Sequence, residues 1–291
     1  MKLWILPNIR GQFSIKYYER RYPLWNSFEL SSLQPLEFSV SIGTCEYSGS
    51  FDSDSENILF FGEPNLADRG WRAFSGFFPK AKKLIWKKGM PKLPLHREIR
   101  SDIWLFTVSF YNDFIFSAND FPHLGLPLNL HPSLPVLRGV GYDHIPLIEN
   151  HPEHGGTLHY MEPRPELRLS AADGVDTGKI IRIKSRELSP TATYGDIHAL
   201  NQQIMLEMLT ELCRQMLKCG SVATAHREFS RESDENGFMW NDRYIDYPAL
   251  EQMIDELKQS DRDHRVFNHN RFIPDAVVRH AGNPGDIILN R

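Results

Sequence analysis

The chain has 291 residues, 41% of them hydrophobic and 24% charged, which is enough apolar text for a large core and rules out a disordered chain. Lys and Arg total 33 against 37 Asp and Glu, a net charge of −4 that supplies no cationic field for a polyanion, so nucleic acid is not an expected partner. Cys45, Cys213 and Cys219 show no CxxC spacing and read as reduced thiols. The apolar run Leu3 to Leu6 stops at Pro7, far short of the about 20 residues of a membrane span, so a cytoplasmic protein without membrane contact is expected.

In chain order, Met1 to Leu6 reads as a short strand and Phe13 to Phe28, with aromatics among Lys16, Glu19, Arg20 and Arg21, as a helix. Glu37 to Asp68 is rich in Ser, Gly and Asp around the apolar piece Ile58 to Phe61, the texture of loops between strands. The lysine-rich stretch Lys80 to Lys92, broken by Gly89 and Pro91, fits either a solvated surface or an anion contact. Ile103 to Phe110 is a continuous β-prone apolar run, the mark of a central parallel strand covered on both faces. Leu126 to Leu130, Gly156 to Met161 and Lys179 to Ile183 predict further strands. Leu200, Ile204, Met208, Leu212 and Met216 recur every fourth residue and predict an amphipathic helix that ends at Gly220. Beyond it, Arg227 to Asn241 reads as turn-rich and Tyr247 to Leu257 as a short helix behind Asp246. The expected fold is therefore α/β, a Rossmann-like, mostly parallel sheet flanked by helices. Its domains are residues 1–220 and a small C-terminal region, 221–291.

Asn129 and His131 lie two apart at the end of a predicted strand, so their side chains share one face, at the sheet edge where open α/β folds place ligands. An amide beside an imidazole can stabilise an oxyanion and handle a proton near neutral pH, though the pair alone fits two structural side chains equally well. His151-Pro-Glu-His154 invites a zinc reading, but no HExxH helix or paired cysteines accompany it, and no metal is expected. Ser133 lacks a nucleophile elbow and reads as a turn hydroxyl, and His159 as a structural strand residue. Tyr142, Asp143 and His144 follow Arg138-Gly139 and stand equally for or against a place near the pocket.

Three segments occur in order: Asn129-Leu-His-Pro-Ser-Leu-Pro-x-x-Arg-Gly, Gly156-Thr-Leu-His-Tyr-Met and Gly174-Val-Asp-Thr-Gly-Lys-Ile-Ile. Together they resemble the formyltransferase family that uses N10-formyltetrahydrofolate, which includes glycinamide-ribonucleotide, methionyl-tRNA and sugar-nucleotide N-formyltransferases. The resemblance covers roughly residues 101–219. It implies that Asn129 and His131 are the catalytic amide and imidazole and Asp176 their carboxylate partner. It implies that N10-formyltetrahydrofolate, the formyl donor, lies against Phe106, Val108 and Phe110 and against the loop of Asp173, Gly174 and Val175. The chain departs from the family in a Ser133-Leu-Pro135 one residue short and about ten extra residues, roughly Pro163 to Ala172. Arg164 and Arg168 in that insertion, with Arg138, are expected to meet a phosphate or carboxylate of the acceptor. No basic excess follows Gly220, which disfavours a tRNA. The implied acceptor is a small-molecule amine, first a nucleotide-linked amino sugar, with an N-hydroxylated amino acid or glycinamide ribonucleotide as alternatives; a homodimer is left open. The rival from another class is a folate- or nucleotide-binding regulatory module without turnover.

Overall fold

The computed structural model describes residues 3–7, 13–17, 47, 49–163 and 174–269. The chain divides into two units, Met1–Thr44 and Cys45–Arg291. In the first, β1 (Leu3–Pro7) pairs antiparallel with β2 (Phe13–Tyr17), Leu3 opposite Tyr17 and Pro7 opposite Phe13. The helix expected from Phe13 onward begins instead as this strand: Phe13, Ile15 and Tyr17 alternate with Ser14 and Lys16, a period of two that the aromatics obscured. The remainder of that prediction, residues 18–28, lies outside the described residues.

In the second unit β3 (Ile58–Gly62), β4 (Lys82–Ile85), β5 (Phe106–Phe110) and β6 (Leu126–His131) run parallel. The short pair Arg138–Gly139 forms β7. The long β8 (Glu153–Tyr160) lies antiparallel to β6, and β9 (Ile180–Glu187) antiparallel to β8, so the six-stranded order is β4-β3-β5-β6-β8-β9. The fold is α/β with a mixed sheet. Three of its five strand pairings are parallel, and the two antiparallel ones are those of β8 with β6 and with β9.

On one face α1 (Ala67–Phe77), α4 (Tyr194–Cys219) and α5 (Val222–Asn236) bury Phe74, Ile204, Met208, Leu212 and Phe229 against Phe60, Phe106, Val108, Phe110, Leu128 and Leu130. The opposite face carries α2 (Lys92–Ile99) and the loop after β5, with Ile99, Trp104, Phe114 and Phe116 over Leu59 and Phe61. The four-residue spacing read along α4 is the buried stripe, and its start is set earlier than expected by a reciprocal Thr193–Asp196 capping box. Its end is Gly220 in the left-handed conformation. Arg227 to Asn241, read as turns, is mostly α5. Val222, Ala225, Phe229 and Ser233 make a narrow buried stripe within a strongly polar sequence, which hides the helical period.

The residues after Gly220 belong to the same unit as the sheet. Asn236 Nδ2 donates to the Ile181 carbonyl at 3.0 Å, and β10 (Tyr244–Ile245) pairs parallel with β7. A short helix α3 (Ile145–Ile148) follows β7, and α6 (Tyr247–Ser260) starts at Asp246, whose side chain accepts from Ala249 N at 2.9 Å. Among the described residues no helix is long and apolar enough to cross a membrane.

Phe106, Val108 and Phe110 point into the helix-covered face and are 0–1% exposed, so the ligand contact expected of them is not what their side chains make. Strand alternation sends Thr107 and Ser109 to the other face instead. Phe106→Leu is expected to lower stability by about 1–2 kcal/mol in urea unfolding; a side chain kept for ligand contact would leave the unfolding midpoint where it is.

Candidate active site

Ser109 of β5 pairs with Asn129 of β6, and Asn129 with His159 of β8, so three adjacent strands set polar side chains in one row on the face away from α4. These residues, His131 and the loop Gly174 to Gly178 line a cavity of about 260 Å³. Phe114, Phe116, Phe121 and Met161 form its apolar end, and Tyr244, Asp246 and Tyr247 close it from the C-terminal segment.

His131 is 3% exposed. Its Nε2 lies 2.9 Å from the Leu137 carbonyl and its Nδ1 3.4 Å from Asp176 Oδ2. Both ring nitrogens thus face acceptors, which favours the charged ring, but burial opposes this and prevails, with His159 and Arg138 adding to it. The ring is held below the ordinary histidine value. Asp176 draws the ring toward its charged form, and burial outweighs that pull.

Burial alone would raise the Asp176 carboxyl. The neighbouring His131 and His159 and the Gly139 N–H outweigh it and hold the group well below the usual carboxylate range. Gly139 N donates to Asp176 Oδ2 at 2.9 Å, and His159 Nε2 stands 3.6 Å from Oδ1. His159 Nδ1 donates to the Tyr160 carbonyl at 2.7 Å, and its Nε2 accepts from Asn129 Nδ2 at 2.9 Å. Asn129, His131, His159 and Asp176 therefore form one connected cluster.

The loop that carries Asp176 is under conformational constraint. Asp176 has φ 46, a left-handed value that aspartate tolerates better than most residues at a cost of about 1–2 kcal/mol. Gly178 brings the chain so close to β8 that a Cβ would stand 1.7 Å from the Tyr160 carbonyl oxygen, which accounts for the glycine of the Asp-Thr-Gly motif. Arg138, expected to meet the acceptor, is 9% exposed and donates from Nε and Nη2 to the Val175 carbonyl at 3.0 and 2.9 Å. Its guanidinium fixes the loop next to Asp176 and does not line the cavity. Gly174 and Val175 do line it, while Asp173, Arg164 and Arg168 lie outside the described residues.

The remaining expectations sort by position. His154 lies under the site, its Nε2 accepting from Asn201 Nδ2 at 2.7 Å, and burial pushes its ring down to about 4. His151 pairs with Glu149 at 3.0 Å, and among the described residues no group of His, Cys, Asp or Glu converges to hold a metal. Tyr142, Asp143 and His144 do not line the cavity; Asp143 Oδ2 accepts from His198 Nδ1 at 2.6 Å.

Two contributors were not assigned a role from the sequence. His159 was read as structural, because only the antiparallel β6–β8 register sets it opposite Asn129. Trp240 stands with its ring edge-on to His159 (4.9 Å) and His131 (5.6 Å) and donates Nε1–H to the Gly178 carbonyl at 2.7 Å. No local motif marks it.

No family model matches the chain, and no curated protein matches it. Among solved structures it is similar to an N-formyltransferase from Helicobacter canadensis, in complex with folinic acid and dTDP-3-aminofucose. That match has 18% identity and a TM-score of 0.48 and covers 67% of this chain and 72% of that chain. It is similar to the formyltransferase PseJ from Anoxybacillus kamchatkensis, in complex with a UDP-linked formamido sugar and tetrahydrofolate, at 17% identity and TM-score 0.47 over 72% and 95% of the two chains. A 4-N formyltransferase from Francisella tularensis matches at 17% identity and TM-score 0.45 over 68% and 79%. At these identities and scores the likenesses do not decide what the chain does, and the functional reading rests on its own residues.

The β7–β10 pairing leaves no room at Gly139, where φ is 87 and a Cβ would come within 2.1 Å of the Ile245 carbonyl oxygen. Gly139→Ala is therefore expected to displace the N–H that holds Asp176. In a turnover assay kcat should fall about tenfold or more, the equivalent of one lost charge-assisted hydrogen bond, with a smaller change in KM.

Proposed function

We propose that the chain is an N-formyltransferase that moves a formyl group from N10-formyltetrahydrofolate to the amine of a small metabolite, most simply a nucleotide-linked amino sugar. The observation that carries this reading is the convergence of Asn129, His131 and Asp176 on one wall of a cavity, from positions up to 47 residues apart in the sequence. The cavity fits the donor by its chemistry: Phe114, Phe116 and Phe121 offer an apolar slot for a flat ring system beside the polar cluster. When bound, the folate supplies the formyl carbon.

The chain's own residues have distinct tasks. Asn129 gives one N–H to His159 and retains the second for a carbonyl oxygen that gains negative charge. His131, neutral at rest, takes a proton at Nδ1, where the Asp176 carboxylate 3.4 Å away stabilises the imidazolium that forms. Asp176 stays ionised throughout, since its carboxyl is held low by the histidines and the Gly139 N–H. Trp240 and the apolar end keep water from the reacting centre.

Incubation with N10-formyltetrahydrofolate and a panel of amines, read by mass for formylated product, tests the reaction. His131→Gln and Asp176→Asn are each expected to reduce turnover by about 10²- to 10⁴-fold, the range of a lost acid–base group. A chain that binds folate yet formylates no amine would favour the regulatory module.

The protonation state has a separate test by NMR of the His131 ring. It is expected to titrate below about 6.5, the unperturbed value, because burial depresses it. In Asp176→Asn the loss of the opposing negative charge should move the titration lower still. A ring that titrates above the unperturbed value would remove its role as a neutral base.

A further inference from the structure

The lysine-rich stretch that composition left undecided is divided by the fold into two groups. Lys80, Lys82 and Lys83 each reach a carboxylate, Glu56 at 3.8 Å, Glu98 at 2.7 Å and Asp68 at 3.6 Å. Lys88 and Lys92 do not; among the described residues no carboxylate lies within 4.0 Å of either. Lys88 Nζ stands 3.7 Å from the centroid of the Tyr247 ring. Lys92 Nζ stands 5.2 Å from Trp86 and 5.5 Å from Phe114. Tyr247 and Phe114 are walls of the active-site cavity, and Tyr247 is 37% exposed, so each ammonium group stands against the ring of a wall residue.

A ring face attracts an ammonium group but does not neutralise it, so both lysines keep their charge available to a ligand. The carboxylates nearest Tyr247 are already engaged. Asp113 accepts from the Tyr247 hydroxyl at 2.8 Å, and Glu63 accepts from the Asn65 and Leu66 N–H groups at 2.8 Å. Inside the cavity the charged lining groups are carboxylates, Asp113, Glu162, Asp176 and Asp246, and no Lys or Arg is among the described lining residues. A polyanionic ligand cannot place its charge there. Arg138, the cation expected to meet it, is committed to the Val175 carbonyl.

We propose that Lys88 and Lys92 form an anion subsite at the cavity rim that takes the charged end of a ligand whose reactive end reaches Asn129 and His131. This rests on the formyl-transfer reading, under which both ligands have such an end: the glutamyl carboxylates of the folate and the diphosphate of a nucleotide-linked acceptor. The shared chemistry is a multiply charged oxyanion beyond an uncharged body. Lysine suits it as a mobile point charge, and the aromatic rings limit the space each side chain samples.

Titration calorimetry on the full chain distinguishes the two sources. The ligands are 5-formyltetrahydrofolate with one or five glutamates, and UDP and dTDP. They are compared in wild type, in Lys88→Gln/Lys92→Gln and in Lys88→Arg/Lys92→Arg. If the folate tail is the anion, the pentaglutamate's advantage over the monoglutamate should fall about tenfold in the Gln variant. If the diphosphate is the anion, UDP or dTDP affinity should fall by a similar factor. In either event the Arg variant should restore binding, which separates lost charge from lost packing. Equal affinities in wild type and the Gln variant for all four ligands would overturn the subsite while leaving formyl transfer standing. A wild-type chain that binds no formyltetrahydrofolate would overturn both.

Discussion

The buried carboxylate of Asp176 is the group on which the rest of the site depends. An ionised carboxylate out of water is costly unless its lone pairs are met. Here the Gly139 N–H meets one oxygen directly, and His131 and His159 flank the pair. That demand explains why distant parts of the chain are tied together. The Asp-Thr-Gly loop must turn through a left-handed residue to aim the carboxylate inward, Gly178 must let the loop approach β8, and Arg138 must secure the loop's main chain.

From this follows the position of the C-terminal segment. β10 is two residues long, yet it holds β7, and β7 supplies both the Arg138 guanidinium and the Gly139 N–H. Trp240 approaches the same cluster from above His159 and holds the Gly178 carbonyl. Residues beyond Gly220 thus complete the site as well as packing α5 on the sheet. The change of composition at Gly220 falls inside the compact unit Cys45–Arg291.

The described lining of the cavity carries the carboxylates Asp113, Glu162, Asp176 and Asp246 with His131 and His159, and no Lys or Arg is among it. Low dielectric inside makes a single carboxylate effective on its neighbours.

What the sequence determined by itself was local in origin. The period of two set Asn129 and His131 on one face, the four-residue spacing marked α4, and Asp246 before Tyr247-Pro marked the start of α6, since all three depend on neighbours a few residues away. The ordered motifs pointed to Asp176 as the partner of His131, and the two stand within 3.4 Å. The tertiary structure decided what depends on register and long-range approach. The antiparallel half of the sheet set His159 opposite Asn129, and the face chosen by β5 turned Phe106, Val108 and Phe110 into core. Burial holds the His131 ring below the ordinary histidine value despite Asp176 beside it, and the carbonyl of Val175 claimed Arg138. Desolvation and hydrogen-bond satisfaction are properties of the assembled interior, and no spacing along the chain encodes them.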